Sequence, residues 1–207
     1  MLLGVVLAAG TSSRMGKNKL ALPWGKRTVL EATMRVVDSY AFNKKMVVLG
    51  YERDYWFEKW NSDLENNTFL WDIVENPLYR QGQGTSVAKV GEHLCLNFAL
   101  QDYEGAMFFL GDQPMLEEET ICQLVEAWEA DKEKIVVPTY QGQRGNPTIF
   151  PKWTFSALMK LTGDTGPRAM LEEYPERVCF VEVEDPGIVL DLDTEEAYRE
   201  ALARAGK

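Results

Sequence analysis

Four short apolar runs punctuate the chain: Leu3 to Leu7, Met46 to Leu49, Met107 to Leu110 and Ile135 to Val137. Each is partly β-branched or aromatic, bounded by turn-forming residues and apolar without alternation, which is how a strand covered on both faces reads. Between them the apolar positions switch to a helical period. Leu30, Met34 and Val37 fall at i, i+4, i+7, and Ile121, Leu124, Val125 and Trp128 at i, i+3, i+4, i+7; each set marks one buried helix face. Strand and helix alternate, which predicts right-handed βαβ crossovers and an α/β fold of three layers, a mostly parallel sheet with helices on both faces. No repeat, low-complexity tract or linker divides residues 1–207, so the whole chain reads as a single domain. Near the end, Asp193, Thr194, Glu195 and Glu196 precede an Ala-rich stretch and predict a C-terminal helix.

Charge adds a local feature to this frame. The formal net charge is -10, so nucleic acid and anionic membrane are excluded as partners, because either polyanion would be repelled by the average surface. The distribution is uneven, however. Residues 1 to 30 carry Arg14, Lys17, Lys19, Lys26 and Arg27 and no acid at all. An anion site on an acidic protein fits that asymmetry; a solvated basic edge is the plainer reading. Cys95, Cys122 and Cys179 are odd in number, far apart and outside metal-ligand spacing, so they are expected to be buried thiols in a reducing compartment. The first apolar run is too short for a secretory or membrane segment, and a cytoplasmic location is expected.

The basic stretch directly follows the first predicted strand, as LAAGTSSRMGKNK over residues 7 to 19. Ala8, Ala9, Gly10, Thr11 and Ser12 offer backbone N–H groups without bulky side chains, so phosphate oxygens can approach closely, and Arg14 and Lys19 supply charge. Two familiar phosphate loops do not fit. Gly10 and Gly16 have five residues between them and Lys17 is followed by Asn18, against the P-loop pattern, and no G-x-G-x-x-G is present. The loop is longer than an ordinary strand-to-helix turn.

Two further loops carry carboxylates at the ends of apolar stretches, where ligands of open α/β sheets bind. One is Gly111, Asp112, Gln113, Pro114; the other is GIVLDLDT, residues 187 to 194. Gly, Asp and Pro also form ordinary turns, and one acid of the Asp191 and Asp193 pair suits a helix N-cap, a role that fits Asp193 or Thr194 better than Asp191. Carboxylates from two strand ends suit Mg²⁺, which takes one or two protein oxygens and completes its shell with water and substrate phosphate.

These residues carry a resemblance. L-A-A-G-T-S-S-R-M-G-x-x-K, with Leu22, Pro23, Trp24 and Gly25 after it, resembles the N-terminal signature of the MobA-like nucleotidyltransferases, and its LAAG form is similar to the molybdenum cofactor cytidylyltransferase branch. The resemblance implies a Rossmann-like domain of the nucleotide-diphospho-sugar transferase kind. It implies that Leu7, Ala8, Ala9, Gly10 and Ser12 lie along a nucleotide, with Arg14 and Lys19 countering phosphate charge, and that Asp112 and Asp191 hold Mg²⁺. Asn76, Gly82, Gly84 and Ser86 resemble the stretch that meets base and sugar, although Thr85 or Ser86 also suits a helix N-cap. Arg144, Gly145, Asn146 and Pro147 match a G-x-x-G-N-P-x-x-F segment, which a plain hairpin turn would also explain. Together with Gln113 and with Gly163, Asp164, Gly166 and Arg168 of a G-D-x-G-x-R segment, they are expected on the side of the second substrate; Asp164 as a helix cap is the plainer alternative.

The chemistry so implied is attack by an acceptor phosphate on the α-phosphate of a nucleoside triphosphate, catalysed by positioning and charge with Arg14, Lys19 and Asp112 and without a covalent nucleophile. The lone histidine, His93, sits in a helical stretch and is not expected to act as a base. The resemblance points to CTP, to a molybdopterin-type phosphate acceptor and to a transient molybdoenzyme partner. A guanylyl or sugar-phosphate transferase on the same fold, and a non-catalytic accessory protein that binds nucleotide or cofactor, remain open at this point. Six Trp and eight Tyr supply aromatic surface for stacking a pterin without placing it.

Overall fold

The computed structural model describes residues 1–11, 16–164 and 166–206. The first apolar run becomes β1, Leu2–Ala8. The others are β4, Lys44–Leu49, β6, Gly105–Leu110, and β7, Ile135–Tyr140. Two short strands, β2 (Pro23–Trp24) and β3 (Arg27–Thr28), form a separate ribbon, and β5 (Asp72–Glu75), β8 (Gln143–Arg144), β9 (Thr148–Pro151) and β10 (Val178–Glu182) complete the main sheet. Its order is β10-β7-β9-β6-β1-β4-β5, with β8 paired to β7. All pairings along this path are parallel except those of β9, which runs antiparallel to both β6 and β7. The reversal comes from the β7–β8 hairpin, whose two-residue turn places Gln141 and Gly142 at positive φ and sends the chain back along the sheet.

Helices cover both faces, as the periodicity predicts. On one face lie α1 (Val29–Val37), α5 (Glu118–Ala130) and the C-terminal α8 (Glu195–Arg204), whose apolar sides share one core with Val6, Val47 and Phe109. Leu30, Met34 and Val37 of α1 and Ile121, Leu124, Val125 and Trp128 of α5 are all buried there. The short helices α2 (Arg53–Lys59) and α3 (Asn61–Glu65) extend this core through Trp56 and Trp60. On the other face, α4 (Gln83–Leu96), α6 (Phe155–Leu158) and α7 (Arg168–Glu173) pack on Leu3, Val5, Met46, Val48 and Phe108. A capping box starts α1: Thr28 Oγ1 accepts from Glu31 N–H at 3.3 Å, and Glu31 Oε2 accepts from Thr28 N–H at 2.8 Å.

The cysteines differ from expectation. Cys95 is exposed, and Cys122 and Cys179 are half-buried, with Cys179 packed against the core from the edge strand β10. No described helix is long and apolar enough to cross a membrane.

Within the sheet β1 is flanked by β4 on one side and β6 on the other, both parallel to it. The chain fills β4 and β5 first and then returns to place β6 across β1. That reversal opens a crevice beyond the carboxyl ends of β1 and β6, where Ala9, Gly10, Gly111 and Asp112 emerge.

Candidate active site

Two adjoining clefts, each of about 510 Å³, occupy this crevice. The first is lined by Ala9, Gly10 and Thr11 after β1, by Lys19, by Tyr79, Arg80, Gly82, Gln83 and Ser86 before and within α4, and by Asp112 and Asp193. The second is lined by Phe108, Val137 and Phe150 of the sheet, by Arg144, Gly145, Asn146 and Thr148, and by Gly166, Pro167, Arg168 and Leu171. Leu7, Gln83, Leu110, Asp164 and Asp191 line both. The clefts therefore meet at a wall that bears two carboxylates.

Asp112 owes its position to the turn after β6. Gly111 N–H donates to Leu7 O at 3.0 Å, and Thr33 Oγ1 of α1 donates to Gly111 O at 3.0 Å, so the peptide before Asp112 is held from two sides. The Asp112 side chain pairs with Lys19 Nζ, which also donates to Asp193 Oδ1 at 2.6 Å. Burial works against the Lys19 charge, but the Asp112 and Asp193 carboxylates outweigh it and hold the ammonium pKa above its ordinary value. Lys19 itself follows Asn18, whose side chain accepts from Leu20 N–H at 3.1 Å and starts a single 3-10 turn over Lys19–Ala21.

Asp191 opens onto the clefts and is exposed as a residue. Around its carboxylate the walls still withdraw enough water for burial to be the largest cause raising its pKa, followed by the like charges of Asp112 and Asp193. The segment before it is anchored by Asp185, only 2% exposed. Its carboxylate accepts from Glu117 N–H and Thr120 Oγ1 at the start of α5, both at 2.9 Å, and from Gly187 N–H at 2.7 Å.

Expected and observed placements differ in instructive ways. Thr194, not Asp193, caps α8, with its side chain accepting from Ala197 N–H at 3.1 Å; this frees the Asp193 carboxylate for Lys19. Gln113, expected at the second substrate, turns inward and is 3% exposed, because a buried carbonyl and the Asp191 carboxylate offer its amide two acceptors. Asn76 lies behind the first cleft, where its amide donates to Thr85 Oγ1 and Ser86 Oγ, both at 2.9 Å, and braces the start of α4. The cap of α4 is Gly82 at φ 108°, not Thr85 or Ser86, which sit one turn inside the helix. A Cβ on Gly82 would lie 2.3 Å from the carbonyl carbon of Gly163, so only glycine lets α4 start this close to the segment carrying Asp164. Pro167, not Asp164, precedes α7, which leaves Asp164 on the wall shared by both clefts. Gly84 and Pro147 are buried behind the lining, whereas Arg144 and Arg168 are exposed at the second cleft. The aromatic residues of that cleft are Phe108 and Phe150 rather than Trp or Tyr. Ser12, Arg14 and Thr165 lie outside the described residues.

The donor set suits a hard divalent cation. Among the described residues of the crevice Asp112 and Asp193 pair with Lys19 Nζ and Asp191 lies within reach of its charge, so the anionic groups on offer to a metal are carboxylate oxygens. Among the described residues no group of three His, Cys, Asp or Glu side chains is placed to hold an ion by itself, so an ion bound here would draw the rest of its shell from water and substrate phosphate.

Known proteins resemble this chain along most of its length. The MobA-like NTP transferase domain matches residues 4–178. A molybdenum cofactor cytidylyltransferase of Escherichia coli (strain K12) is 28% identical over 208 residues, covering 97% of this chain and 95% of the relative. The purine catabolism protein PucB of Bacillus subtilis (strain 168) is 29% identical over 200 residues, covering 95% of this chain and 94% of the relative. A crystal structure of Rv0371C from Mycobacterium tuberculosis H37Rv in complex with manganese superposes with a TM-score of 0.71 at 26% identity, covering 98% of both chains. With this match over most of its length, and with clefts placed at the switch point of the same kind of sheet, the chain belongs to the MobA-like NTP transferase family.

Proposed function

We propose that the protein is a Mg²⁺-dependent cytidylyltransferase that moves CMP from CTP to the terminal phosphate of molybdenum-loaded molybdopterin and releases pyrophosphate. The observation that carries this reading is the wall shared by the two clefts, with Asp164 and Asp191 on it and Asp112 beside it. A transfer between two bound substrates needs such a junction; binding of one ligand does not.

In this reading the nucleotide lies in the first cleft, its triphosphate along Ala9, Gly10 and Thr11, and the acceptor lies in the second between Arg144 and Arg168. The new bond joins an acceptor phosphate oxygen to the α-phosphorus, and the α–β phosphoanhydride bond breaks as pyrophosphate leaves in line. A phosphate monoester has its second pKa near 6, so the acceptor is already largely dianionic at neutral pH and no general base is required. His93 accordingly stands apart, lining a separate cavity with Trp71 and Asp72. Lys19 keeps its proton at any physiological pH and supplies fixed positive charge for the departing pyrophosphate, with Arg14 assigned to the same task. Bound at Asp112 and Asp191, Mg²⁺ would neutralise phosphate charge and polarise the reacting centre.

The choice of CTP and of a molybdopterin acceptor is supported by the LAAG loop and by the Escherichia coli relative. Incubation of the protein and Mg²⁺ with molybdenum-loaded molybdopterin and CTP, GTP, ATP or UTP in turn, followed by mass spectrometry, tests it. A cytosine dinucleotide formed in preference to the other three is expected. A product with GTP in its place would refute the base assignment, and no product with any nucleotide while CTP binds would refute the reaction.

A further inference from the structure

Gln113 is buried within the crevice floor without lining either cleft, and both N–H groups of its amide are used. Nε2 donates to Ile188 O at 3.1 Å and to Asp191 Oδ1 at 3.3 Å. The same Ile188 carbonyl accepts from Asn146 N–H at 2.9 Å, on the wall of the second cleft. Three loops thus converge on one amide: the turn after β6 that carries Asp112, the segment from Asp185 to Asp193, and the Gly145–Asn146 wall.

We propose that Gln113 is a positioning residue that sets the Asp191 carboxylate against Asp112 and ties this pair to the wall of the second cleft. The proposal rests on the reading of Asp112 and Asp191 as the metal-holding pair. Gln113 follows Asp112 directly, so its backbone moves with that carboxylate while its side chain fixes the other. Asp191 belongs to an irregular segment with no strand or helix to hold it, and engaging one of its oxygens fixes the carboxylate plane and leaves the second for a ligand. Other side chains do this worse. Methionine matches the volume but donates nothing, and glutamate presents a carboxylate to both a carbonyl and Asp191. Asparagine keeps the amide but falls one methylene short.

Gln113→Met, Gln113→Glu and Gln113→Asn test this in two independent ways. The first is titration of the full-length protein with Mn²⁺, read as loss of the free-ion electron paramagnetic resonance signal. Wild type is expected to take up Mn²⁺, with the Kd weakened about tenfold in Gln113→Met and Gln113→Asn and more in Gln113→Glu, at thermal midpoints that still show a folded protein. The second is pyrophosphate release, in which the Mg²⁺ concentration for half-maximal rate is expected to rise by the same factor with the CTP KM held within about twofold. Unchanged Mn²⁺ affinity in folded variants would overturn the proposal, as would absence of Mn²⁺ uptake by wild type. A lowered Tm with wild-type metal dependence would reduce Gln113 to a packing role and overturn it too. Should wild type take up Mn²⁺ yet transfer no nucleotide, the proposed reaction falls and the Mn²⁺ titration alone decides the role of Gln113.

Discussion

Lys19 and Asp193 meet at 2.6 Å although 174 positions separate them in the chain. The contact joins the loop after the first strand to the segment before the last helix, and Asp112 closes the group from the middle of the sequence. Lys17 and Glu195 make a second such link at 3.1 Å. The charge asymmetry of the first thirty residues therefore has a structural outlet, since these cations meet acids contributed by the remainder of the chain.

Lys19→Met is expected to lower nucleotidyl transfer by at least about 10²-fold, as loss of a preorganised charge at the reacting phosphates does. It also leaves Asp112 and Asp193 without this partner, at a cost of about 1–3 kcal/mol for a largely buried charged hydrogen bond. The sign with pH follows from the raised Lys19 pKa. Its stabilising contribution is complete below the unfolded-state value and is lost only as pH rises through the higher folded-state value. Denaturant unfolding at pH 7 and at pH 11 checks this: the difference between wild type and variant should shrink at the alkaline pH.

Asp191 has the same sign with pH, since its pKa is also raised, but its charge destabilises the fold where that of Lys19 stabilises it. Its pKa is raised by burial and by Asp112 and Asp193, so in the metal-free protein its charge opposes folding, and its contribution to stability improves as pH falls through the folded-state value. Asp191→Asn is expected to raise the Tm of the metal-free protein at pH 7 while reducing transfer by on the order of 10²-fold. Metal affinity of the wild type should fall on acidification from a pH above the usual aspartate range. Scanning calorimetry in chelator and Mn²⁺ titration between pH 4 and 8 measure both effects.

The Asp112 carboxylate is legible in the sequence because glycine and a preceding apolar run mark where a strand stops, as at Leu110 and Gly111. The four apolar runs become strands for the same reason. Asp191, expected at a second strand end, instead follows a 3-10 turn over Pro186–Ile188, because the apolar stretch before it is too short and too close to Pro186 and Gly187 to join the sheet. β9 escapes, since Thr148–Pro151 is only four residues long and its antiparallel direction depends on the hairpin before it. Asp193 escapes for a different reason. In D-L-D-T, two carboxylates and a hydroxyl compete for one cap, and local preference favours Asp as readily as Thr. The position of Lys19, remote in sequence, draws Asp193 away from the cap. Tyr79, Arg80 and Gln83 carry no local signal, because it is the fold that brings the connection between β5 and α4 against the loop after β1.

Asp185→Ala is expected to cost about 3 kcal/mol or more, because it leaves two backbone N–H groups and the Thr120 hydroxyl without their buried acceptor. The segment it anchors leads to Asp191, so the Mg²⁺ requirement should rise in whatever fraction stays folded. Urea unfolding gives the first quantity and a Mg²⁺ titration of pyrophosphate release the second.

Arg144→Ala and Arg168→Ala divide the substrates between the clefts. Both side chains line only the second cleft. Each substitution should raise the acceptor KM about tenfold, as loss of a charge-assisted contact does, with the CTP KM unchanged. Initial-rate measurements varying one substrate at a time distinguish this from a general loss of activity.

Transfer between two clefts that meet at Asp164 and Asp191 is tested most directly by Mg²⁺-dependent pyrophosphate release from CTP, with and without molybdenum-loaded molybdopterin. Release that requires the acceptor, and that falls by about 10²-fold or more in Asp112→Ala, is the predicted result. Release at the same rate without acceptor, or transfer that survives Asp112→Ala undiminished, would contradict it.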